Sequence, residues 1–199
     1  NIRYAHRYLD FVMKIQNAEK QQVASSEVLT EAVARGLYRL MAYKDEYEVA
    51  RLYTDGRFSA NVAANFEPGS KLKFHLAPAL ISKRDPVTGH LKKREFGSWI
   101  LILFFVLAKF KWLRGSKIDP FNYSSERKAE RQLIKEYEDL ISEILIVLTP
   151  ENLREATELA NTVSQIRGFG HIKEANISLA KEDQKKLLKK FKNINEAKF

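Results

Sequence analysis

Acids and bases crowd the stretch Tyr43 to Asp55, which reads YKDEYEVARLYTD. Lys44, Asp45, Glu46, Tyr47, Glu48 and Arg51 fall within eight positions of one another. Closely placed carboxylates push one another's pKa values apart, so a group of this kind can supply a general acid and a general base. The same residues also fit a structural role. Lys44 with Glu48, and Glu48 with Arg51, sit at helical ion-pair spacings, each worth about 0.3 to 0.5 kcal/mol when exposed. On a core-facing helix the stakes rise, because breaking one member of a buried pair costs roughly 3 to 5 kcal/mol.

A second stretch, Ile166 to Asn176 (IRGFGHIKEAN), sets Arg167, His171 and Lys173 around Gly168 and Gly170. Glycines ahead of a helix can aim backbone N–H groups at a phosphate or carboxylate, and the three bases would add positive charge. Neither a Walker A pattern nor a dinucleotide fingerprint surrounds them. The competing reading is a tight turn whose bases bind carbonyls and carboxylates of the domain itself. The two stretches are expected to meet, with Asp45, Glu46 or Glu48 within ion-pair reach of Arg167 or Lys173. The histidines at 6, 75, 90 and 171 do not pair at recognised metal spacings.

The elements that would position these residues read as helices. Tyr4, Tyr8, Phe11, Val12 and Ile15 recur at three and four, which predicts a docking helix from the N-terminus to about Gln21. Ser25 or Ser26 would cap a longer helix, running through Val33, Leu37, Leu40 and Met41 into the charged stretch and stopping near Gly56. A short helix follows from Phe58 to Phe66. Alternation at Leu72, Phe74 and Leu76 predicts a strand, which could form a hairpin with residues near Leu91 across turn signals in Lys83 to His90. The apolar run beginning at Trp99 predicts a buried helix over about Phe96 to Leu113, with Trp99, Trp112 and the phenylalanines in the core. Ser124 would cap a helix striped by Leu133, Tyr137, Leu140, Ile144 and Leu148. Thr149-Pro150-Glu151 would open the next helix, and the last would span His171 to Phe191. The expected fold is therefore mainly α: a single multi-helix domain over 1–199 with at most one short β-hairpin around residues 72–92.

The chain has 199 residues, no cysteine and a net charge of +9. Cysteine's absence excludes disulfides, thiolate metal sites and a cysteine nucleophile, and it fits the cytoplasm. The most apolar run is about ten residues, half the length a membrane span needs. Positive charge gathers at Lys83 to Arg94, Lys109 to Lys117 and Lys181 to Lys198. Patches so scattered disfavour a nucleic-acid stripe, although a basic helical nucleic-acid-binding module remains an alternative. Opening at Asn1 inside a patterned segment, the chain is expected to be a piece of something longer.

Three motifs in register carry a resemblance: YKDEYEVARLYTD; FGSWILILFFVLAKFKWLRG with DPF and ERKAER after it; and IRGFGHIKEAN. From about Tyr4 to Leu188 the chain resembles the C-terminal domain of long-chain indolepyruvate ferredoxin oxidoreductases, a branch of the 2-oxoacid ferredoxin oxidoreductases. The resemblance implies a parent enzyme that uses thiamine diphosphate, magnesium and iron-sulfur clusters. That parent would decarboxylate an aryl 2-oxoacid, reduce ferredoxin and release an acyl-CoA. The family's Gly-Asp-Gly run and cluster cysteines are not in these residues, so no catalytic residue is carried over, and the catalytic domains are expected upstream. Two roles are then open. One is a non-catalytic domain that packs on the catalytic domains or across a homodimer. The other is a basic wall for a CoA or ferredoxin site, built from Arg114, Arg167, His171 and Lys173.

Overall fold

Helix formation follows the apolar spacing along most of the chain. The computed structural model describes residues 2–77, 82, 92–168 and 170–196. The helices are α1 (Ile2–Gln22), α2 (Val28–Met41), α3 (Glu46–Thr54), α4 (Arg57–Asn65), α5 (Ile100–Lys109), α6 (Ser125–Ile146), α7 (Leu153–Asn161) and α8 (Gly170–Glu196). Single 3-10 turns follow α5 at Phe110–Leu113 and α7 at Thr162–Gln165. Two three-residue strands, β1 (Phe74–Leu76) and β2 (Arg94–Phe96), pair antiparallel with Phe74 opposite Phe96. The class is mainly α with one short hairpin, as expected. The hairpin closes on Arg94–Phe96 rather than near Leu91, and Leu91 with the turn Lys83 to His90 lies outside the described residues.

Contacts gather the chain into two compact units: Asn1–Tyr43 with Glu130–Phe199, and Lys44–Ala129. The first holds the larger core. Leu29, Val33 and Leu37 of α2, Tyr137, Ile141 and Ile144 of α6, and Leu159 of α7 are all 2% exposed or less. The predicted α6 stripe is buried at every position from Leu133 to Leu148. Gly36 lets α2 come close to its neighbours: a Cβ there would lie 2.5 Å from Tyr137 Oη and 2.8 Å from Val163 Cγ2. Tyr137 donates its hydroxyl to the Ala160 carbonyl at 3.0 Å, and burial raises its pKa.

The second unit has a thinner core. Among the described residues, Tyr47 and Ala50 of α3, Phe74 of β1 and Ile100 of α5 are its buried apolar residues. Around them Tyr53 stacks on Phe104 at 5.4 Å between ring centroids and meets Phe58 and Phe74 edge-on.

Three sequence expectations change. The long second helix breaks after Met41, and α3 starts anew, because Asp45 accepts the Glu48 N–H at 2.8 Å and caps it. Helix α7 begins at Leu153 rather than at Thr149. Its opening is organised by fully buried Asn152, which accepts the Thr149 N–H and donates to the Val147 carbonyl. Most consequential, α5 is not a buried helix. Its inner residues face α3, but Trp99, Phe105 and Trp112 are 55%, 55% and 69% exposed. A helix apolar on all sides needs cover all round, and the thin core of this unit provides it on one side only.

Candidate functional site

Each charged residue of the first stretch is placed by a local device. Asp45, 5% exposed, serves two donors besides its place in the chain. One is the Glu48 N–H, and the other is the Arg114 guanidinium, whose Nη2 lies 2.8 Å from Oδ1 and whose Nε binds Oδ2. That fork ties the start of α3 to the segment after α5. Glu46 receives Arg127 of α6 through Nε and Nη2, both at 3.3 Å, and Arg127 also reaches the Lys44 carbonyl at 3.4 Å. Burial pushes the Glu46 carboxyl above its ordinary range, with Arg127 opposing the shift. Glu48 holds Arg51 at 2.7 Å, and Arg51 holds Asp55 at 3.1 Å. The Arg51 hydrogen bond draws Glu48 below the usual carboxylate range. The Lys44 side chain is exposed.

Tyr47 is buried and donates its hydroxyl to Asp119 Oδ1 at 3.0 Å, with its ring edge-on to Phe121. Burial first, then this hydrogen bond to a carboxylate, pushes the Tyr47 hydroxyl pKa strongly upward. Asp119, 4% exposed, also accepts the N–H groups of Gly115 and Phe121 at 2.8 and 3.0 Å. One carboxylate therefore closes the loop between α5 and α6 and anchors α3 to it.

The glycine stretch is equally inward-looking. Gly168 has φ +89°, and a Cβ there would strike Ile172 Cγ2 at 2.8 Å, so both backbone and space demand glycine. Arg167 donates to the Ser164 carbonyl at 3.2 Å, and Asn176 donates to the Arg167 carbonyl at 2.9 Å. Lys173 pairs with Glu130 of α6 at 2.7 Å, with side-chain exposures of 19% and 7%. Gly170 opens α8 at φ +55°. Phe169 and the side chain of His171 lie outside the described residues. Within their own units the charged residues take these partners: Asp45 with Arg114, Glu46 with Arg127, Glu48 with Arg51, and Lys173 with Glu130.

Chemically this is a set of satisfied pairs and caps. Among the described residues no group of three His, Asp or Glu is placed to hold a metal ion. Two shallow concave surfaces run along α1, lined by residues such as Asp10, Met13, Lys14 and Arg7. With the pattern matching a known family model over residues 1–186, the family follows. The chain belongs to DUF6537, a family of unknown function. No curated protein and no solved structure matches it.

One buried group of this DUF6537 chain escaped the sequence reading. Glu19 of α1 is 0% exposed. Its carboxylate accepts the N–H groups of Leu29 and Thr30 at 3.1 and 2.7 Å, the Thr30 hydroxyl at 2.6 Å and the Ser26 hydroxyl at 2.7 Å. Helix α2 is thus capped by a side chain from α1, with the expected Ser26 beside it accepting the Val28 N–H at 3.4 Å. Burial pushes the Glu19 carboxyl up, but the hydrogen bonds from Thr30, Ser26 and Leu29 outweigh it and leave the carboxyl below its ordinary range. The signal was there: Glu19 lies four residues after Ile15, on the apolar stripe of α1.

Proposed function

We propose that this chain is a non-catalytic C-terminal domain of an indolepyruvate or related 2-oxoacid ferredoxin oxidoreductase, acting in the cytoplasm by packing on the thiamine diphosphate catalytic domains or across a dimer. One observation supports this above the others. Asp45, Glu46, Glu48, Arg51, Arg114 and Lys173 are engaged in caps and ion pairs, while large apolar side chains of α5 face outward. A surface of that kind serves contact rather than turnover. Thiamine diphosphate, magnesium and iron-sulfur clusters do not fit the donor set here. The chain has no thiolate for a cluster, and the carboxylates of the charged stretch, Asp45, Glu46, Glu48 and Asp55, are occupied by arginines and a backbone N–H. Those groups would be held in the parent's catalytic domains. The basic-wall reading loses support, since Arg114, Arg167 and Lys173 bind Asp45, the Ser164 carbonyl and Glu130.

Two measurements test the proposal. The purified chain, given thiamine diphosphate, magnesium, indolepyruvate, CoA and a ferredoxin or dye acceptor, should show no turnover; turnover would overturn the non-catalytic assignment. Sequencing the gene that encodes the chain should find a Gly-Asp-Gly run and cluster cysteines in the same reading frame. An open reading frame lacking both would overturn the parent.

A further inference from the structure

Helix α5 shows two faces of unlike destiny. Ile100, Leu101, Phe104 and Leu107 turn inward, with Ile100 buried at 6% exposure and Phe104 stacked on Tyr53 of α3. The opposite face presents Trp99, Ile102, Leu103, Phe105, Val106 and Phe110, all between 43% and 69% exposed. Their spacing is that of anchors on a helix that enters a groove. No acid occurs from Phe96 to Ile118, while Lys109, Lys111, Arg114 and Lys117 do. Residues Lys44–Ala129 carry 16 Lys and Arg against 9 Asp and Glu, a net +7 of the chain's +9. The apolar face and the positive charge therefore belong to the same unit.

We propose that the outer face of α5 is a docking surface for a protein surface of complementary chemistry: an apolar groove with carboxylates at the end that receives Lys109 and Lys111. This rests on the reading of the domain as a packing module and says where it packs. Charge selects the occupant. A second copy would bring a like +7 against this one, which costs association. A bilayer is a poorer match, since interfacial helices are framed by cations along their length, whereas α5 carries its first charge at Lys109. The Lys109 ammonium lies 5.1 Å from the Phe105 ring centre, over the apolar face itself. An acyl layer would strand that ammonium; a carboxylate in a protein groove would pair with it.

Three probes decide the matter. Sedimentation of the purified chain over a wide concentration range should show a monomer. A dimer that Leu103→Asp abolishes would assign the face to a second copy and overturn the proposal. Phosphatidylglycerol vesicles should not sediment the chain; binding lost on Leu103→Asp would assign the face to lipid, with the same result. Finally, a photo-cross-linking residue replaces Ile102 in the protein as its own cell makes it, with exposed Tyr38 as the control position. Ile102 should yield one discrete cross-linked peptide, rich in Asp or Glu, that the control does not give. Lys109→Glu with Lys111→Glu should lower its yield by at least about fivefold. No discrete product, the same product from Tyr38, or a yield indifferent to the charge reversals overturns the proposal. Circular dichroism on each variant verifies the fold. If the gene lacks the motif and the cluster cysteines but Ile102 still gives the charge-sensitive product, the parent assignment falls and the docking surface stands. If the gene carries the motif but Ile102 cross-links to nothing, the reverse holds.

Discussion

Replacing Glu19 by glutamine keeps the shape of the side chain and removes half of its acceptors. The carboxylate receives four hydrogen bonds, two on each oxygen, and each oxygen serves one backbone N–H of α2 and one hydroxyl. In Glu19→Gln an NH2 must face one of those N–H groups. The hydroxyl beside it can rotate to accept, but the backbone donor cannot. Leaving one buried N–H unpaired costs about 1 to 3 kcal/mol, and losing the negative charge at a buried helix N-terminus adds about 1 kcal/mol. A loss of about 2 to 4 kcal/mol is expected from urea unfolding followed by far-UV circular dichroism. Glu31→Gln, in the exposed first turn of α2, should change stability by no more than about 0.5 kcal/mol. The pH dependence supplies an independent readout. Because the folded carboxyl sits below its unfolded value, its contribution is complete above the unfolded pKa, about 4.3, and disappears as pH falls through the folded value. Glu19→Gln should therefore lose less stability than the wild type on acidification from about pH 5. A glutamine variant as stable as the Glu31→Gln control, with an unchanged acid profile, would refute the trans-helix cap.

Three further outcomes follow from described contacts. Gly36→Ala should destabilise by about 1 to 2 kcal/mol in the same assay, because the clash with Tyr137 and Val163 outweighs the roughly 1 kcal/mol that alanine gains in helix propensity; a more stable variant would show that the helices can part at no cost. Glu46 has the opposite sign to Glu19: its raised carboxyl favours the protonated fold, so its contribution is present below about pH 4.3 and is lost as pH rises through the folded value. A carboxyl NMR titration should find its midpoint above the usual range, and Arg127→Met should move it higher still; a midpoint unmoved by the substitution would exclude the ion pair. Lys173→Met leaves Glu130 buried without its ammonium, and a loss of about 3 kcal/mol is expected, with a double-mutant cycle against Glu130→Gln to isolate the pair; no coupling would refute it.

Periodicity was a good guide where one face of a helix meets a full core. The stripe from Leu133 to Leu148 and the apolar face of α2 were readable for that reason, and so was Ser124, whose hydroxyl accepts the Arg127 N–H at 3.3 Å. The break before α3 was also written locally, since Asp45 and Glu48 stand at the spacing of a capping box, but an apolar run leading into them concealed it. Partners in the charged stretch were harder to find. Arg114 and Arg127 lie 69 and 81 positions from the acids they bind, and no spacing rule spans such distances. Helix α5 was least legible. Being apolar all round, it has no polar face to set its phase, and its exposure depends on how much core its neighbours can offer.

The division of the chain also bears on its biosynthesis. The first unit is assembled from residues before Tyr43 and after Glu130, so the ribosome must make the 86 residues Lys44–Ala129 before α6 and α7 exist to cover α2. At roughly 5 to 20 residues per second this interval is about 4 to 17 s. Throughout it, Leu29, Val33 and Leu37 have no helix from the far end of the chain to pack against, though the Glu19 cap can already form within the nascent segment. During translation, then, the apolar face of α2 waits for partners that are made only after the whole of the second unit.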